Sequence, residues 1–556
     1  MLLAGGARFR LLAALLYAPG TWLHATARRE QRLPLFNARE RPLSLLPCAA
    51  AWSRTSRCPR ARSPLDSSED IAMKIRLVNA CITAALATLF SACTVGPNYV
   101  RPTVETAPGW RIDYPKAADV ANLKWWEQFG DPVLNQLVET ALRDNRDLRV
   151  AAARVDQFIG ALTTTGSQLY PQIGYGADAS RARASEVGFP PLSPALSPYF
   201  SLYNVSLGAS WQADLFGRVR RQTEAAQAQV YASEQGQRGV VLTLVAGVAT
   251  SYIVLRSLDR QLEISQATAR NFEDTLRIFE LRFKSGLIAM TELAQIRSQT
   301  QQARAAIPQF QQAIATQENL LSILLGSNPG PIPRGKTIDQ LVAPAIPGDL
   351  PAALLQRRPD ILGAEQNLVA ANANIGAARA LYYPNLSLQA ALATTAAATG
   401  ALFSGPAAAG LIGAALTGPI FTFGAIEGQV AAAEAGERAA LAVYQQTILN
   451  ALREANDALS GSQKRAEEFS LQRERVVALR EFARLSKLRF DKGVSGYLEV
   501  LVAENELFAA ELASVSLQAS SYAQIVNVYQ AVGGGWVDIA AGMAPKPLAA
   551  AKANPS

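Results

Sequence analysis

Between residues 203 and 214, in the sequence YNVSLGASWQAD, apolar and polar positions alternate without interruption. A period of two places successive side chains on opposite sides of an extended chain, so this pattern predicts a β-strand with one apolar face. Shorter alternating runs begin at 173 and 386, and glycine and proline interrupt a weaker fourth candidate at 411–423. The four candidates form two predicted β-hairpins, 170–216 and 383–423, whose strands are about long enough to cross a bilayer when tilted.

A second pattern, with apolar residues three or four positions apart, occupies proline-free stretches at 199–307 and 420–544. This spacing is typical of helices that pack along one stripe as a coiled coil. An unbroken helix from Arg218 to Phe283 would be roughly 100 Å long at 1.5 Å per residue. We interpret the stripe as structural packing; it contains Leu255, Leu258, Leu262, Ala269, Phe272, Leu276, Phe279 and Phe283, and in the second stretch Val476, Leu479, Ala483 and Phe490.

The order of these elements occurs twice along the chain. The aligned segments are 147–171 with 360–384 at an offset of 213, and, at an offset of 207, LRFKSG 281–286 with LRFDKG 488–493 and Phe216-Gly217 with Phe423-Gly424. Constant offsets predict two internal structural repeats, 131–326 and 353–536, joined by a linker at 327–352. Each repeat contains a helix, a β-hairpin and a long helical hairpin. The remaining residues, 537–556, are predicted to be a disordered C-terminal tail.

Each predicted helical hairpin reverses its direction at a glycine. Gly286 and Gly493 follow the long helices, where glycine readily adopts the left-handed conformation that ends a helix. Thr291 and Ser495 are the predicted N-caps of the returning helices, because their hydroxyl oxygens can accept a hydrogen bond from a free backbone N–H. The predicted tips comprise residues 284–291 and 491–497.

The segment 73–92, MKIRLVNACITAALATLFSA, has a charged start, a short apolar core and small residues at its end. This is the architecture of a secretory signal peptide, and it is too short for a stable membrane span. It resembles a bacterial lipoprotein signal, which predicts lipidation of Cys93 and a lipidated N-terminal segment at 93–130. An ordinary signal with an incidental cysteine is the alternative. Because a signal peptide begins a protein, we expect translation to start at Met73 and 1–72 to be upstream sequence; a genuine pro-segment is the alternative.

Composition narrows the possible functions once these segments are removed. The chain has 53 Lys and Arg and 45 Asp and Glu, and removal of residues 1–92 leaves 40 of each kind in 93–556. A neutral mature chain gives no electrostatic reason to expect nucleic-acid binding. Its one cysteine is Cys93, and the chain's one histidine, His24, precedes the signal. A Cys–His metal cluster and a Ser–His–Asp triad are therefore excluded, so we expect neither an enzyme nor a cofactor site.

The predicted strands also constrain the assembly. Four amphipathic strands are too few to close a barrel, and an open sheet in lipid leaves unpaired backbone groups at both edges. If the strands lie in a membrane, several chains must therefore share one barrel. The long helices would then stack outside the bilayer as a tube, and a lipid on Cys93 would hold the assembly at the membrane surface. These features together indicate a conduit.

Four stretches resemble one known family: CTVGPNYVRP at 93–102, WWEQFGDPVLNQLV at 125–138, the segment 354–388 beginning LLQRRPDILGAEQNL, and AVGGGW at 531–536. The resemblance is to the outer-membrane efflux lipoproteins of the outer-membrane factor family, and it covers essentially all of 93–536. It implies an α+β membrane protein that forms a homotrimer. Four strands per chain would build one twelve-stranded outer-membrane β-barrel, continuous with a long α-helical periplasmic tunnel.

The resemblance further implies a passive exit duct for drugs and small toxic molecules. An inner-membrane, proton-driven transporter of the RND type would supply the substrate through a periplasmic adaptor protein. The implied location is the outer membrane, with no cofactor beyond the covalent lipid on Cys93. The adaptor is expected to dock at the hairpin tips, near Gly286, Thr291, Gly493 and Ser495.

The family narrows its tunnel in the segment that corresponds to 488–507. Homologues often place Tyr, Asp and Arg there in a polar gate network, whereas this chain carries Phe490, Val502 and Asn505. Our hypothesis is that Glu499 with Asp491 forms part of an acidic aperture instead. The alternative is that the acidic residues lie on solvated helix faces. The other acidic residues of this segment are Glu504 and Glu506.

Two other functions share some of these features. The outer-membrane duct of a type I protein secretion system would have the same fold. A periplasmic structural or adaptor lipoprotein would combine coiled-coil hairpins with soluble β-domains. The lipoprotein start favours efflux over protein secretion, and the duplicated order of strands and helices argues against soluble β-domains.

Overall fold

Strands and helices follow one another in the order that the two periodicities predict. The structure is a computed structural model that describes residues 94–103, 123–188, 191–193, 195, 197–346 and 357–548, all within one unit of the chain. Cys93, the predicted signal at 73–92 and residues 1–72 lie outside the described part. The described α-helices are α1 Pro132–Asp144, α2 Arg146–Ser167, α3 Arg218–Lys284, α4 Met290–Leu324, α5 Pro359–Arg379, α6 Ala425–Asp491, α7 Tyr497–Val532 and α8 Trp536–Met543. The strands are β1 Gln172–Arg183, β2 Tyr199–Ala213, β3 Asn385–Ala396 and β4 Ala408–Thr417.

The longest helices, α3 and α6, contain 67 residues each. Gly217 and Gly424 precede them with φ angles of +76° and +86°, a left-handed conformation that glycine adopts without the clash caused by a Cβ atom. At 1.5 Å per residue each helix is about 100 Å long. One 18-residue window of α3 is apolar enough for a membrane span, with a mean hydropathy of 1.8, but 61% of that window is buried inside the protein. We therefore assign it to the core.

Both long helices end at the predicted glycines, Gly286 and Gly493, whose φ angles are +74° and +72°. Two backbone hydrogen bonds close each end in the arrangement known as a Schellman motif, which satisfies carbonyls that the helix leaves free. In the first hairpin the N–H of Gly286 donates to the carbonyl of Phe283, and the N–H of Leu287 to that of Arg282. In the second, the N–H of Gly493 donates to the carbonyl of Phe490, and the N–H of Val494 to that of Arg489. All four distances are 2.9 Å.

The N-cap predictions for the returning helices are wrong. Helix α4 begins directly after Ala289, so Thr291 is its second residue. Helix α7 begins directly after Gly496, and the buried hydroxyl of Ser495, one position earlier, has no hydrogen-bond partner among the described residues. Both helices start four residues after the tip glycine. The geometry of the glycine turn therefore fixes the start, and it outweighs an N-cap preference of about 1 kcal/mol.

The strands form one antiparallel sheet in the order β1-β2-β3-β4. The predicted bounds of the last strand, 411–423, are wrong. Strand β4 begins earlier, at Ala408, where it pairs with Thr394 of β3, and it ends at Thr417. The chain leaves the sheet at Gly418 and Pro419, because proline has no N–H to donate to the ladder.

The same order of elements occupies both halves of the described chain. A helix, two strands and two long helices follow one another in 146–324 and again in 359–532. Strands β1 and β3 each contain 12 residues and start 213 positions apart. Helices α3 and α6 start 207 positions apart, as do the returning helices α4 and α7.

The largest hydrophobic core joins the two ends of the described chain. Trp125 stacks on Tyr529 with ring centroids 5.1 Å apart, and Trp536 contacts Trp125 and Trp126 edge-on at 5.9 and 6.0 Å. All four rings are fully buried. Helix α8 belongs to this core, so the prediction of disorder at 537–556 is wrong for its residues. A helix of 8 residues is too short to be stable by itself, and packing against the tryptophans stabilises it.

The inter-repeat linker, 327–352, is tied to the helices where the structure describes it. Asp131 is fully buried at the N-cap of α1. Its carboxylate accepts a hydrogen bond from the Tyr252 hydroxyl at 2.6 Å and from the N–H of Lys336 at 2.9 Å. The N–H of Gly335 donates to the same tyrosine hydroxyl at 3.0 Å. The linker therefore satisfies polar groups that would otherwise be buried without partners.

Candidate functional site

The strand register gathers the apolar side chains on one face of the sheet. Leu207 of β2, for example, lies between Tyr175 of β1 and Leu392 of β3. This apolar face contains Ile173, Tyr175, Val205, Leu207, Ala209, Trp211, Leu386, Leu388, Leu392, Ile412 and Leu416. Tyr175 is 92% exposed and Ile412 is 90% exposed. A continuous apolar surface of this kind suits contact with lipid or with a partner.

The opposite face of the sheet carries polar side chains that bond across the strands. The Asn204 amide Nδ2 donates to Asp178 Oδ1 at 3.0 Å, and Asn204 Oδ1 accepts from the Thr395 hydroxyl at 3.1 Å. These three residues come from β1, β2 and β3. The sheet therefore separates an apolar from a polar environment, as the wall of a water-filled membrane barrel does.

Both outer strands of the sheet have an open edge. In the described part of the chain, no further strand pairs with the outer side of β1 or of β4. Their backbone N–H and C=O groups are exposed along 12 and 10 residues. Because lipid offers these groups no hydrogen bonds, the sheet needs strands from outside the chain before it can lie in a membrane.

The N-terminal segment 94–103 is fixed where the sheet joins the helices. The N–H of Val95 donates to the carbonyl of Phe216, just after β2, at 3.2 Å. The buried guanidinium of Arg221 donates to the Val95 carbonyl at 3.3 Å and to Asn98 Oδ1 at 2.8 Å. Arg221 therefore acts as a clamp that holds this segment against α3.

Two close approaches of glycine complete the clamp. A Cβ atom on Gly96, whose φ is +104°, would lie 2.4 Å from the Cα of Gly376 in α5. A Cβ on Gly217 would lie 2.8 Å from the Thr94 methyl group. Thr94 directly follows the predicted lipidation site, Cys93, so that site precedes a segment fixed at the base of the sheet. Lipidation itself stays a prediction.

The two helical hairpins contact each other near their tips through an aromatic group. Phe279 of α3 lies 6.5 Å from Phe490 of α6 and 4.5 Å from Tyr497 of α7, measured between ring centroids. The Phe490 and Tyr497 rings are 5.2 Å apart. The Arg282 guanidinium lies 5.5 Å from the Phe490 centroid and 5.9 Å from that of Phe279. We call these four residues the tip cluster; it fastens the second hairpin to the first.

The structure places the other constriction candidates on two helices of the second hairpin. Asp491 is exposed at the end of α6, whereas Glu499 lies in the first turn of α7 and pairs with Arg489 at 3.2 Å. Val502 is exposed and Asn505 half-buried on α7. Glu499 is thus neutralised in part by a neighbouring cation within the chain. Its role in an aperture with Asp491 stays a prediction.

A half-buried carboxyl group lies beside the tip cluster. Burial raises the pKa of Glu504, and the charge of Lys487 opposes this shift. Burial, together with the charge of Glu504, raises the pKa of Tyr497 to about 12. Glu506, two residues later and therefore on nearly the opposite side of α7, is exposed. The predicted acidic group therefore contains one carboxyl that is easier to protonate than an ordinary glutamate.

Three members of the tip cluster, Phe279, Arg282 and Tyr497, are absent from the constriction predicted by sequence. Arg282 belongs to the repeated LRF motif, and that repetition is the signal that marks it. The motif's two phenylalanines differ in environment, because Phe490 is packed in the tip cluster whereas Phe283 is 38% exposed. Only the contact between hairpins distinguishes them.

Comparison with known proteins gives relatives over most of the chain. A sequence profile of the family described as outer membrane efflux protein matches residues 137–327 and 350–534. The toluene efflux pump outer membrane protein TtgF of Pseudomonas putida is 32% identical over 475 residues, covering 82% of this chain and 97% of that protein. The cation efflux system protein CusC of Escherichia coli is 31% identical over 470 residues, covering 83% and 99%. The open state of the MtrE outer membrane channel of Neisseria gonorrhoeae has a TM-score of 0.72 and 29% identity, covering 80% of this chain and 98% of that one.

Proposed function

The chain belongs to the outer membrane efflux protein family, and we propose that three copies of it form one continuous duct from the periplasm through the outer membrane. It is an outer-membrane channel of the kind used by efflux pumps, and its relatives are channel proteins rather than enzymes. The duct carries solutes passively, so the energy for export is supplied by another component of the pump.

The open four-stranded sheet with one apolar face is the observation that carries this proposal. Two copies would give eight strands, whose interior is only wide enough to be filled by side chains. Three copies give twelve strands and room for a solute. Glycines at the strand–helix junctions lead each strand pair into helices of about 100 Å, which extend the duct beyond the bilayer.

The cargo consists of small molecules selected before they enter the duct. The related TtgF is named for toluene efflux and CusC for cation efflux, so similar chains serve chemically different cargoes. This difference supports a duct whose lining admits many solutes. We therefore assign selectivity to an inner-membrane transporter of the RND type, with antibiotics and organic solvents as the cargoes to test first.

The proposed partners bind at the two ends of the duct. A periplasmic adaptor docks at the helical tips, near Gly286 and Gly493, where the chain reverses and backbone is exposed. A lipid on Cys93 holds the assembly in the outer membrane. The clamp formed by Arg221 supports this anchor, because it fixes the following residues at the base of the sheet.

The periplasmic end of the duct is narrowed by acidic side chains, Glu499 with Asp491. Replacement of both by amides, in Glu499→Gln with Asp491→Asn, is expected to raise single-channel conductance in planar bilayers. Glu506→Gln provides the matched control, since Glu506 is an exposed glutamate on the same helix. Unchanged conductance in the double variant, or an equal rise in the control, would count against the aperture.

Deletion of the gene tests the efflux function itself. We expect hypersensitivity to several unrelated antibiotics and to toluene, restored by the wild-type chain and weakened when the Cys93→Ala variant replaces it. Normal resistance after removal of other exit ducts, combined with loss of a secreted protein, would favour a type I secretion duct instead. The soluble adaptor alternative is inconsistent with the family to which the chain belongs.

A further inference from the structure

An aromatic pair closes the junction between the two strand pairs inside one chain. Phe216, which follows β2, stacks on Tyr383, which precedes β3. Their ring centroids are 4.6 Å apart and their planes differ by 20°. The pair lies at the end of the sheet nearest the helices, next to the long β2–β3 ladder.

The two open edges of the sheet carry the equivalent residues, neither of which has a partner ring within the described part of the chain. Phe423 occupies the position 207 residues after Phe216, and Tyr170 lies 213 residues before Tyr383. Phe423 is 101% exposed and Tyr170 is 68% exposed. Among the described residues, Phe423 is also the only non-glycine with a positive φ, +48°. A strained backbone that presents an aromatic ring to solvent is expected where a contact outside the chain completes the site.

We propose that β4 of one copy pairs antiparallel with β1 of a second copy in the register of the β2–β3 junction, and that Phe423 stacks on Tyr170 of the partner subunit. This inference rests on the shared barrel proposed above and deepens it by identifying the contact between copies. The occupant of both open edges is a second copy of this chain, because the chain already contains the same junction once.

The register between copies follows from the one inside the chain. Strand β2 pairs with β3 at Ala209 and Ala390. Addition of 207 to the first position and subtraction of 213 from the second places Leu416 opposite Ala177 of the partner subunit. The same shift places Ile420, three residues after the end of β4, level with the partner's Ile173.

An independent check supports this register. The two offsets come from the Tyr-Pro and Phe-Gly motifs outside the strands, not from the sheet faces. Leu416 lies on the apolar face through its pair with Leu386, and Ala177 lies on it through its pair with Val205. The derived register therefore joins apolar face to apolar face, whereas a slip by one residue would join opposite faces.

The exposed side chains near the junction agree with this pairing. Ile420 is 88% exposed and Ile173 is 73% exposed in the single chain. The shift also places Gly418, the first residue after β4, level with the partner's Tyr175, whose ring is 92% exposed. An aromatic ring beside a glycine covers the backbone that the glycine leaves bare.

Disulfide crosslinking tests the register directly. The variant Leu416→Cys with Ala177→Cys places two thiols opposite each other between copies. Within one chain β1 and β4 are separated by two strands, about 14 Å apart, so an internal disulfide cannot form. The matched control, Leu416→Cys with Ile173→Cys, shifts one thiol by four residues, about 13 Å along the strand.

Oxidation of the full-length protein in outer membranes is expected to give covalent dimers and trimers from the first pair on a non-reducing gel, and none from the control. Equal crosslinking of both pairs, or crosslinking of the control alone, overturns the register. Single-cysteine variants exclude disulfides between identical positions. The native mass of the protein in detergent distinguishes failure of the register from failure of the shared barrel. Oligomers that form no crosslinks overturn the register alone. Monomers that are also absent from the outer membrane overturn the shared barrel as well.

The aromatic stack has its own test. Phe423→Ala is expected to make oligomers dissociate in detergent about five-fold faster, because it removes one aromatic pair per junction. Tyr170→Ala should have the same effect, and the double variant should dissociate no faster than either single variant. Phe421→Ala is the control, since Phe421 is 83% exposed in the same segment. Additive single effects, or an equal effect of the control, overturn the stack.

Discussion

Removal of the Phe490 side chain tests whether the tip cluster holds the two hairpins together. The variant Phe490→Ala loses ring contacts with Phe279 and Tyr497 and the cation–π contact with Arg282. An aromatic pair contributes about 0.5–1.5 kcal/mol beyond its buried area. A cation–π contact at an exposed site contributes about 0.5–1 kcal/mol. With two aromatic pairs and one cation–π contact removed, we expect a loss of about 1.5–4 kcal/mol per chain in the free energy that favours contact between the hairpins.

This loss corresponds to a large change in population. Since about 1.4 kcal/mol is a factor of ten, the fraction of time that the hairpins spend apart should rise roughly ten- to seven-hundred-fold. Single-channel recording in planar bilayers should show longer or more frequent open states for Phe490→Ala. Cells that carry the variant should become more sensitive to large hydrophilic antibiotics, which a closed duct excludes.

The repeated motif provides the control. Phe283 occupies the equivalent position in the first hairpin but is 38% exposed and lies outside the tip cluster. Phe283→Ala should leave the channel record close to wild type. Equal behaviour of the two variants, with assembly intact in both, would refute the role of the cluster.

Three further perturbations follow from the contacts described above. Arg221→Ala removes a buried guanidinium and its hydrogen bonds to Val95, Gly96 and Asn98, so chymotrypsin should cut the N-terminal segment after Tyr99 at least about ten-fold faster than in wild type. Tyr252→Phe leaves a buried carboxylate and a backbone N–H each one hydrogen bond short, which should cost about 2–4 kcal/mol in urea unfolding; Tyr231→Phe, at an exposed site, should cost less than about 0.5 kcal/mol. Because the pKa of Glu504 is raised from 4.5 by burial, its carboxyl contributes stability that is complete below that pH and is lost as the pH rises through the raised value. Calorimetry of Glu504→Gln should therefore give a higher unfolding temperature than wild type at about pH 7.5 and little difference at about pH 4.

Much of the fold can be predicted from the sequence because the relevant signals are local. The alternation at 203–214 predicts β2, and the three–four spacing predicts α3 to within one residue of its end. In both cases the spacing of the apolar positions shows which side of the element is apolar. The helix ends at Gly286 and Gly493 can be predicted for a similar reason, because the left-handed conformation that ends a helix strongly favours glycine.

The features missed by sequence depend on contacts between distant segments. Helix α8 is short and rich in alanine, and only the buried tryptophans explain why it is ordered. The sequence predicts that Arg282 is a surface charge on a long helix. Its contact with Phe490 of the other hairpin is visible only in the structure. Ser495 has the right chemistry for an N-cap, yet the turn starts the helix elsewhere. Pattern alone cannot rank these competing local preferences.

The aromatic core also has a consequence for the synthesis of the protein. Trp125 and Tyr529 stack although 404 positions separate them along the chain. At about 5–20 residues per second, a ribosome needs roughly 20–80 s to reach Tyr529 after it has made Trp125. Throughout that interval the early tryptophans lack their stacking partner and need shielding from aggregation. A chain truncated anywhere before Tyr529 never acquires that partner. Burial of these rings therefore distinguishes a full-length chain from a truncated one before assembly in the outer membrane.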